Sequence, residues 1–183
     1  MSLKYFLLLS VICIPAVYSA KCRYNSGDNG YSCELQEATY ETVGGTFEIT
    51  GGHEGAKEDA DVISLNTSDA TLKYIPKEIF EKFKNLKILE LQNVKLEVIT
   101  DETFFDCTSL EILHLSVNLL ENIPPSAVAK CANIKTLEIS SNKIATIDGD
   151  AFKDLTNLES LFLIGNKLTT ITKAILTPLA KLR

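Results

Sequence analysis

The sequence has only two histidines, His53 and His114, and no excess of basic charge over acidic. Beyond its first residues it also lacks any apolar run of the roughly 18 residues that a transmembrane helix needs. Each absence closes off a class of function. There is no serine–histidine–acid order, no metal-ligand cluster and no glycine-rich phosphate loop, so no catalytic centre, metal site or cofactor is expected. A formal net charge of −6 without a basic patch argues against nucleic acid as a partner and against adhesion to an anionic membrane surface. Hydrophobic content of 45% and charged content of 23% are ordinary for a folded soluble chain. A length of 183 residues suits one domain, or two small ones.

What is present begins with a leader. Lys4 supplies a positive start, Tyr5 to Val17 is a short apolar run, and small residues follow. This is the layout of a secretory signal peptide, too short for a comfortable membrane span. Cleavage after Ser19 puts Val17 three residues before the cut, whereas cleavage after Ala20 puts the bulkier Tyr18 there. Residues 1–19 therefore read as a signal peptide and the chain as secreted, with an uncleaved anchor as the alternative. Cys13 leaves with the leader. Cys22 and Cys33 follow in a polar, glycine-containing segment, and in an exported chain such a pair is expected to bridge. The bridge constrains the unfolded chain by about 2–3 kcal/mol. A zinc site is the alternative, but no further ligand is spaced for it.

The main signal is internal repetition. Leu86, Leu110, Ile134 and Leu158 stand 24 residues apart. An aliphatic pair follows each of them: Leu89 and Leu91, Leu113 and Leu115, Leu137 and Ile139, Leu161 and Leu163. Further columns hold Leu96, Leu120, Ile144 and Leu168, then Ile99, Ile123, Ile147 and Ile171. One step back lies a degenerate first repeat with Val62, Leu65, Thr67, Leu72 and Ile75. One step forward is Leu182, beside the last residue. The expected organisation is a cap over 20–61, five 24-residue repeats over 62–181 and the start of another at 182–183.

A coil explains the period. The Leu-x-x-Leu-x-Leu segment is a short strand whose alternate residues point inward. Successive strands pair in parallel into a curved sheet, and the rest of each repeat returns along the convex side. No repeat buries its apolar face alone, so stability comes from stacking neighbours. Phe80, Phe104, Val128, Phe152 and Leu176 form one expected inward spine, and Phe83, Cys107, Cys131, Leu155 and Leu179 another. Stacked rungs bring Cys107 and Cys131 within disulfide range, but parallel side chains would hold their sulfurs in poor geometry, so buried free thiols are expected, with a bridge as the alternative. Asn118, Asn142 and Asn166 can satisfy buried backbone groups of adjacent turns. Val94 and Ala70 replace asparagine in the earlier repeats, so those turns are expected to be less regular. In the cap, Phe47 and Ile49 alternate with polar neighbours as in a strand, and 52–61 reads as a loop. The fold class is an α/β solenoid: a curved horseshoe with a parallel concave sheet and an irregular or short-helical convex side. Its C-terminal end lacks an evident cap, which suggests a fragment or a poorly covered end.

The phrases Leu-Glu-Ile-Leu-His-Leu-Ser-Val-Asn-Leu-Leu and Leu-Glu-Ser-Leu-Phe-Leu-Ile-Gly-Asn-Lys-Leu resemble the extracellular animal type of the leucine-rich-repeat superfamily. The chain is similar in particular to short secreted insect leucine-rich-repeat proteins, whose cap likewise has a cysteine pair. It departs from the four-cysteine vertebrate cap. The resemblance implies ligand binding, usually of a protein, on the concave sheet.

The concave column reads Asn66, Glu90, His114, Glu138, Phe162. His114 between two carboxylates is either a mildly pH-sensitive patch or part of a solvated charge ladder. Phe162 and Ile164 point out of the sheet near its C-terminal end, where they either anchor a partner or pack under further chain. Lys87, Glu111, Lys135 and Glu159 alternate in sign along another column, which suits register and solubility. Asn66-Thr67-Ser68 is a glycosylation sequon on the first repeat. Glu90, His114, Glu138, Phe162 and Ile164 are thus the candidate ligand-binding residues of a secreted module. The expected ligand is an extracellular protein or glycoconjugate, in a setting such as innate immunity or cell signalling. The alternative is a structural or adhesive matrix component that self-associates through its open C-terminal end.

Overall fold

The computed structural model describes residues 16–27, 30–42, 45–100 and 102–183. The expected leader lies outside them up to position 15, as does Cys13, while Val17–Ser19 begin the first strand. The cap contains β1 (Val17–Gly27), β2 (Gly30–Gln36), β3 (Thr39–Tyr40) and β4 (Thr46–Thr50). The first repeat supplies β5 (Val62–Ser68), β6 (Thr71–Leu72) and helix α1 (Glu78–Lys82). Then come β7 (Ile88–Glu90), β8 (Ile112–His114), β9 (Asn122–Ile123), β10 (Thr136–Glu138), β11 (Thr146–Ile147), β12 (Ser160–Phe162) and helix α2 (Lys173–Leu176). One sheet of eight strands runs β12-β10-β8-β7-β5-β2-β1-β4. From β2 to β12 every neighbour is parallel. Among the described residues the return segments carry two short helices and short strand pairs, so the molecule is the solenoid that the period implies.

The cap belongs to the sheet. β2 pairs with β5 in the register Cys33↔Leu65, and β5 with β7 in the register Leu65↔Leu89. β3 pairs with β6 just as β9 pairs with β11. Residues 30–40 are therefore a further rung, 32 residues before the first repeat instead of 24, as Cys33 and Leu65 show. The longer return carries β4, whose Phe47 and Ile49 are buried as their alternation implies. β1 lies between β2 and β4, antiparallel to the first and parallel to the second, so β4 is the edge strand here, and Cys22 is bonded to Cys33 across the β1–β2 hairpin.

Every rung turns on one residue in the left-handed region: Glu37, Asp69, Asn93, Val117, Ser141 and Gly165. This conformation swings the N–H toward the next rung. Asn93 donates to the Ser116 carbonyl at 3.2 Å, Val117 to Ser140 at 3.0 Å and Ser141 to Ile164 at 2.7 Å. The early turns were expected to be irregular, but Glu37, Asp69 and Asn93 give them the same backbone conformation. The ladder asparagine is therefore not what makes the turn. It fills the space inside it. Asn118 accepts from the N–H groups of Val94 and Leu96 at 3.1 and 3.0 Å and donates to the carbonyls of Leu91 and Leu115 at 2.7 and 3.0 Å. Asn142 and Asn166 repeat the arrangement, reaching Leu120 N–H and Ile144 N–H respectively. On the outer side, Asn85, Asn133 and Asn157 each donate to a carbonyl of the preceding return, at 2.8, 2.7 and 2.9 Å.

Both spines are buried over most of their length. Phe80 and Phe104 meet edge to face at 5.7 Å. Two expectations need correction. Cys107 and Cys131 are joined in a disulfide, with Cα atoms 5.0 Å apart. They lie in turns of the return segments and not on flat strands, so their side chains can converge. In the last repeat Leu176 is exposed and Ile175 takes its inward place, because α2 shifts the facing residue by one position. Ile171 is exposed as well, and Leu161, Leu163 and Leu168 are only partly buried. The charged column holds its register: Lys135 Nζ lies 2.6 Å from Glu111, Lys87 3.5 Å from it, and Arg183 3.7 Å from Glu159.

Four outcomes follow from these contacts. Alanine in place of Asn118 leaves several buried backbone groups unpaired and lowers unfolding free energy by about 3 kcal/mol in urea titrations. The same change at the less buried Asn166 costs roughly 1 kcal/mol. Val117 is a β-branched residue at φ 59° and is exposed to solvent, so Val117→Asn relieves strain without opening the core. It raises stability by about 1 kcal/mol in the same assay. The hydrogen bond from Lys135, with Lys87 beyond it, outweighs a small burial effect and holds the Glu111 carboxyl below the usual range. Being depressed on folding, this carboxyl stabilises above its unfolded pKa, and the gain is lost as pH falls through its folded value. An NMR titration of Lys135→Met shows the Glu111 midpoint moving up toward the ordinary range.

Candidate functional site

Parallel pairing in unshifted register brings the outward residues of successive strands into straight rows. Glu90 stands beside His114, and His114 beside Glu138, which stands beside Phe162. Neighbouring rungs are about 4.8 Å apart. The cap adds Arg23 and Glu34 to the same row, because Arg23 faces Glu34 and Glu34 faces Asn66 of the first repeat. Sequence reading missed Arg23 and Glu34. The signal was the alternation of Tyr31, Cys33 and Leu35 with Ser32, Glu34 and Gln36, hidden by the longer offset.

The centre of the row is His114. Its Nδ1 is 3.4 Å from Glu90 and its Nε2 3.7 Å from Glu138. Ser116 donates its hydroxyl to Glu138 at 3.1 Å, and the Gln92 amide lies 3.5 Å from His114 Nδ1. Glu34 is paired with Arg23 at 3.4 Å. Among the described residues, neither Glu90 nor Glu138 has a lysine or arginine within ion-pair distance. A shallow depression of about 370 Å³ lies between Glu34, Asn66, Glu90 and Gln92. Beyond Glu138 the surface turns apolar: Phe162 is 44% exposed and Ile164 78%. The five candidate residues thus occupy one continuous strip on the last four rungs, acidic at one end and apolar at the other. Asn66 lies on the same face, two rungs from His114.

His53 is not on this face. It sits under the cap loop, where its ring centroid is 3.9 Å from that of Tyr24. Its Nε2 lies 2.9 Å from Asp59, and its Nδ1 3.2 Å from the Tyr31 hydroxyl, which accepts the Glu54 N–H at 3.0 Å. Asp59 accepts from Lys82 of α1 at 2.9 Å and from the Tyr24 hydroxyl at 3.3 Å. Burial pushes the Asp59 carboxyl up, but the hydrogen bonds from Lys82 and His53 win and hold it below the usual range. Burial, with the Asp59 charge beside it, drives the Tyr24 phenol upward. This network pins the cap loop to α1 and the hairpin, which is a structural role. Among the described residues no group of three or more histidines, cysteines or acids is gathered to hold a metal ion. No helix described is long and apolar enough to cross a membrane.

Comparison with known proteins agrees with this architecture. No curated protein sequence matches the chain. Among solved structures, the APL1 leucine-rich repeat domain is 19% identical with a TM-score of 0.59, over 90% of this chain and 46% of that one. A chain of the LRIM1/APL1C complex is 19% identical with a TM-score of 0.60, over 86% of this chain and 33% of that one. A chain of the octameric complex of Latrophilin 3, Unc5D and FLRT2 is 28% identical with a TM-score of 0.57, over 68% of this chain and 38% of that one. The chain therefore spans less than half the length of each of these structures. The BspA type leucine rich repeat region matches residues 60–182 in six copies, and the chain belongs to that leucine-rich-repeat family.

Proposed function

We propose that this chain is a secreted binding module that recognises an extracellular protein or glycoconjugate along the strip Glu90–His114–Glu138–Phe162–Ile164. Leucine-rich-repeat domains are in general protein-binding modules. The observation that carries the reading is the pairing of exposed Phe162 and Ile164 with two carboxylates that, among the described residues, no lysine or arginine neutralises. Exposed apolar side chains on a rigid sheet can supply an anchor, and flanking charges select the partner and its register. Two disulfides and the leader support an oxidising, extracellular compartment. The LRIM1/APL1C complex offers a structural relative that assembles with a protein partner. A glycan on Asn66 would cover the cap-proximal end of the face and direct binding to the later rungs; a mass shift after glycosidase treatment tests its presence.

Self-association is the second reading, favoured by the exposure of Phe162, Ile164, Ile171 and Leu176 together on the last repeat. Light scattering separates the two, since a concentration-independent monomer contradicts self-association. The binding reading is tested with a photo-crosslinking residue at position 164 or, as control, at 153 in a return segment. The expected result is a discrete extracellular partner labelled from 164 alone, and loss of that product with Glu90→Lys or Phe162→Asp. Equal labelling from both positions, or labelling indifferent to both variants, contradicts it.

A further inference from the structure

The outward positions of β7, β8, β10 and β12 hold no lysine or arginine; their charges are Glu90, Glu138 and, when protonated, His114. Both carboxylates are within reach of a partner, with side chains 37% and 33% exposed. The flanking cations are engaged elsewhere. Lys87 and Lys135, one position before β7 and β10, lie 3.5 and 2.6 Å from Glu111, and Arg23 pairs with Glu34 at the cap end. His114 is left to serve two carboxylates from two different repeats. A neutral imidazole has one N–H to give. The Gln92 amide nitrogen, 3.5 Å from Nδ1, can only donate, which leaves the ring proton on Nε2, toward Glu138. Glu138 also receives the Ser116 hydroxyl. Glu90 then faces the Nδ1 lone pair at 3.4 Å and lacks a cation or side-chain donor among the described residues. Protonation gives the ring a second N–H and a charge, and the exposed Gln92 amide can turn aside for it.

We propose that the partner of this strip presents a basic segment, a lysine or arginine beside an apolar side chain, and that protonation of His114 releases it. The inference rests on the binding reading of the same strip and names its partner and its control. The partner's cation serves Glu90 and Glu138, and its apolar neighbour meets Phe162, one rung beyond Glu138. An acidic segment would meet like charge on the same rungs. The partner's cation and the histidine proton compete for the same two carboxylates, so each opposes the binding of the other. Histidine changes charge between about pH 5 and 8, while glutamates stay ionised above about pH 5. Affinity is therefore highest at neutral pH and falls as the solution becomes mildly acidic.

The test uses the intact folded chain and two end-capped five-residue peptides, one alternating lysine with leucine and one with glutamine in place of lysine. Lysine keeps its charge throughout the range used. Amide NMR at pH 7.5 is expected to show saturable shifts on β7, β10 and β12 with the basic peptide, and about fivefold or more weaker binding of the neutral one. At pH 5.5 the basic peptide binds about fivefold more weakly than at pH 7.5. His114→Gln brings the ratio between the two pH values close to one, and His114→Lys binds weakly at both. If either variant fails to fold, the two peptides at two pH values on the unmodified chain decide the matter. Equal affinity for the two peptides, shifts away from the concave strip, or the same pH dependence in His114→Gln would overturn the proposal. A partner crosslinked from position 164 with equal yield at pH 5.5 and 7.5 also overturns it and leaves the binding reading standing.

Discussion

Everything in this molecule depends on how one rung satisfies the polar backbone of the next. A solenoid has no second layer to cover the bend at the end of each strand, so buried N–H and carbonyl groups there must be paired by the neighbouring rung. At Asn93, Val117 and Ser141 the left-handed residue sends its N–H to a carbonyl of the next coil. The asparagines at 118, 142 and 166 collect what remains inside, each serving two adjacent coils with one amide. Interrupting one turn therefore disturbs both its neighbours.

The same constraint makes the concave face usable. Because each turn has the same backbone conformation, strands repeat without a shift from β7 to β12, and side chains one repeat apart stand abreast. A histidine can then be held between two carboxylates from different repeats, and Phe162 can follow in line. The cap extends this geometry because its own rung uses the same turn at Glu37. Its disulfide joins β1 to β2, and the His53–Asp59–Lys82 network ties its loop to α1.

The repeat, the inward columns and the candidate strip were legible because a fixed period converts sequence position into spatial position. Glu90, His114 and Glu138 come together as counting implies, and Phe162 and Ile164 emerge exposed. Where counting failed, a local change in chain path was responsible. Residues 51–58 lengthen the cap return, which hid the rung at 30–40 and with it Arg23 and Glu34. The short helix α2 rotated Ile175 inward in place of Leu176. The bond between Cys107 and Cys131 depends on turn geometry that period alone does not describe. The regular early turns were legible in retrospect: Asp69 and Asn93 are residue types that tolerate the left-handed region, and they carry the same 24-residue spacing.

Native-state hydrogen exchange tests the neighbour-dependence of the turns most directly. The amides of Leu96 and Leu120 donate to asparagine side chains of fully flanked rungs, while Ile144 donates to Asn166 on the last repeat. Protection of Leu96 and Leu120 near the global unfolding level, falling at Ile144, is the predicted result. Exchange of Leu96 and Leu120 at rates typical of exposed turns, or equal protection at all three sites, would contradict it.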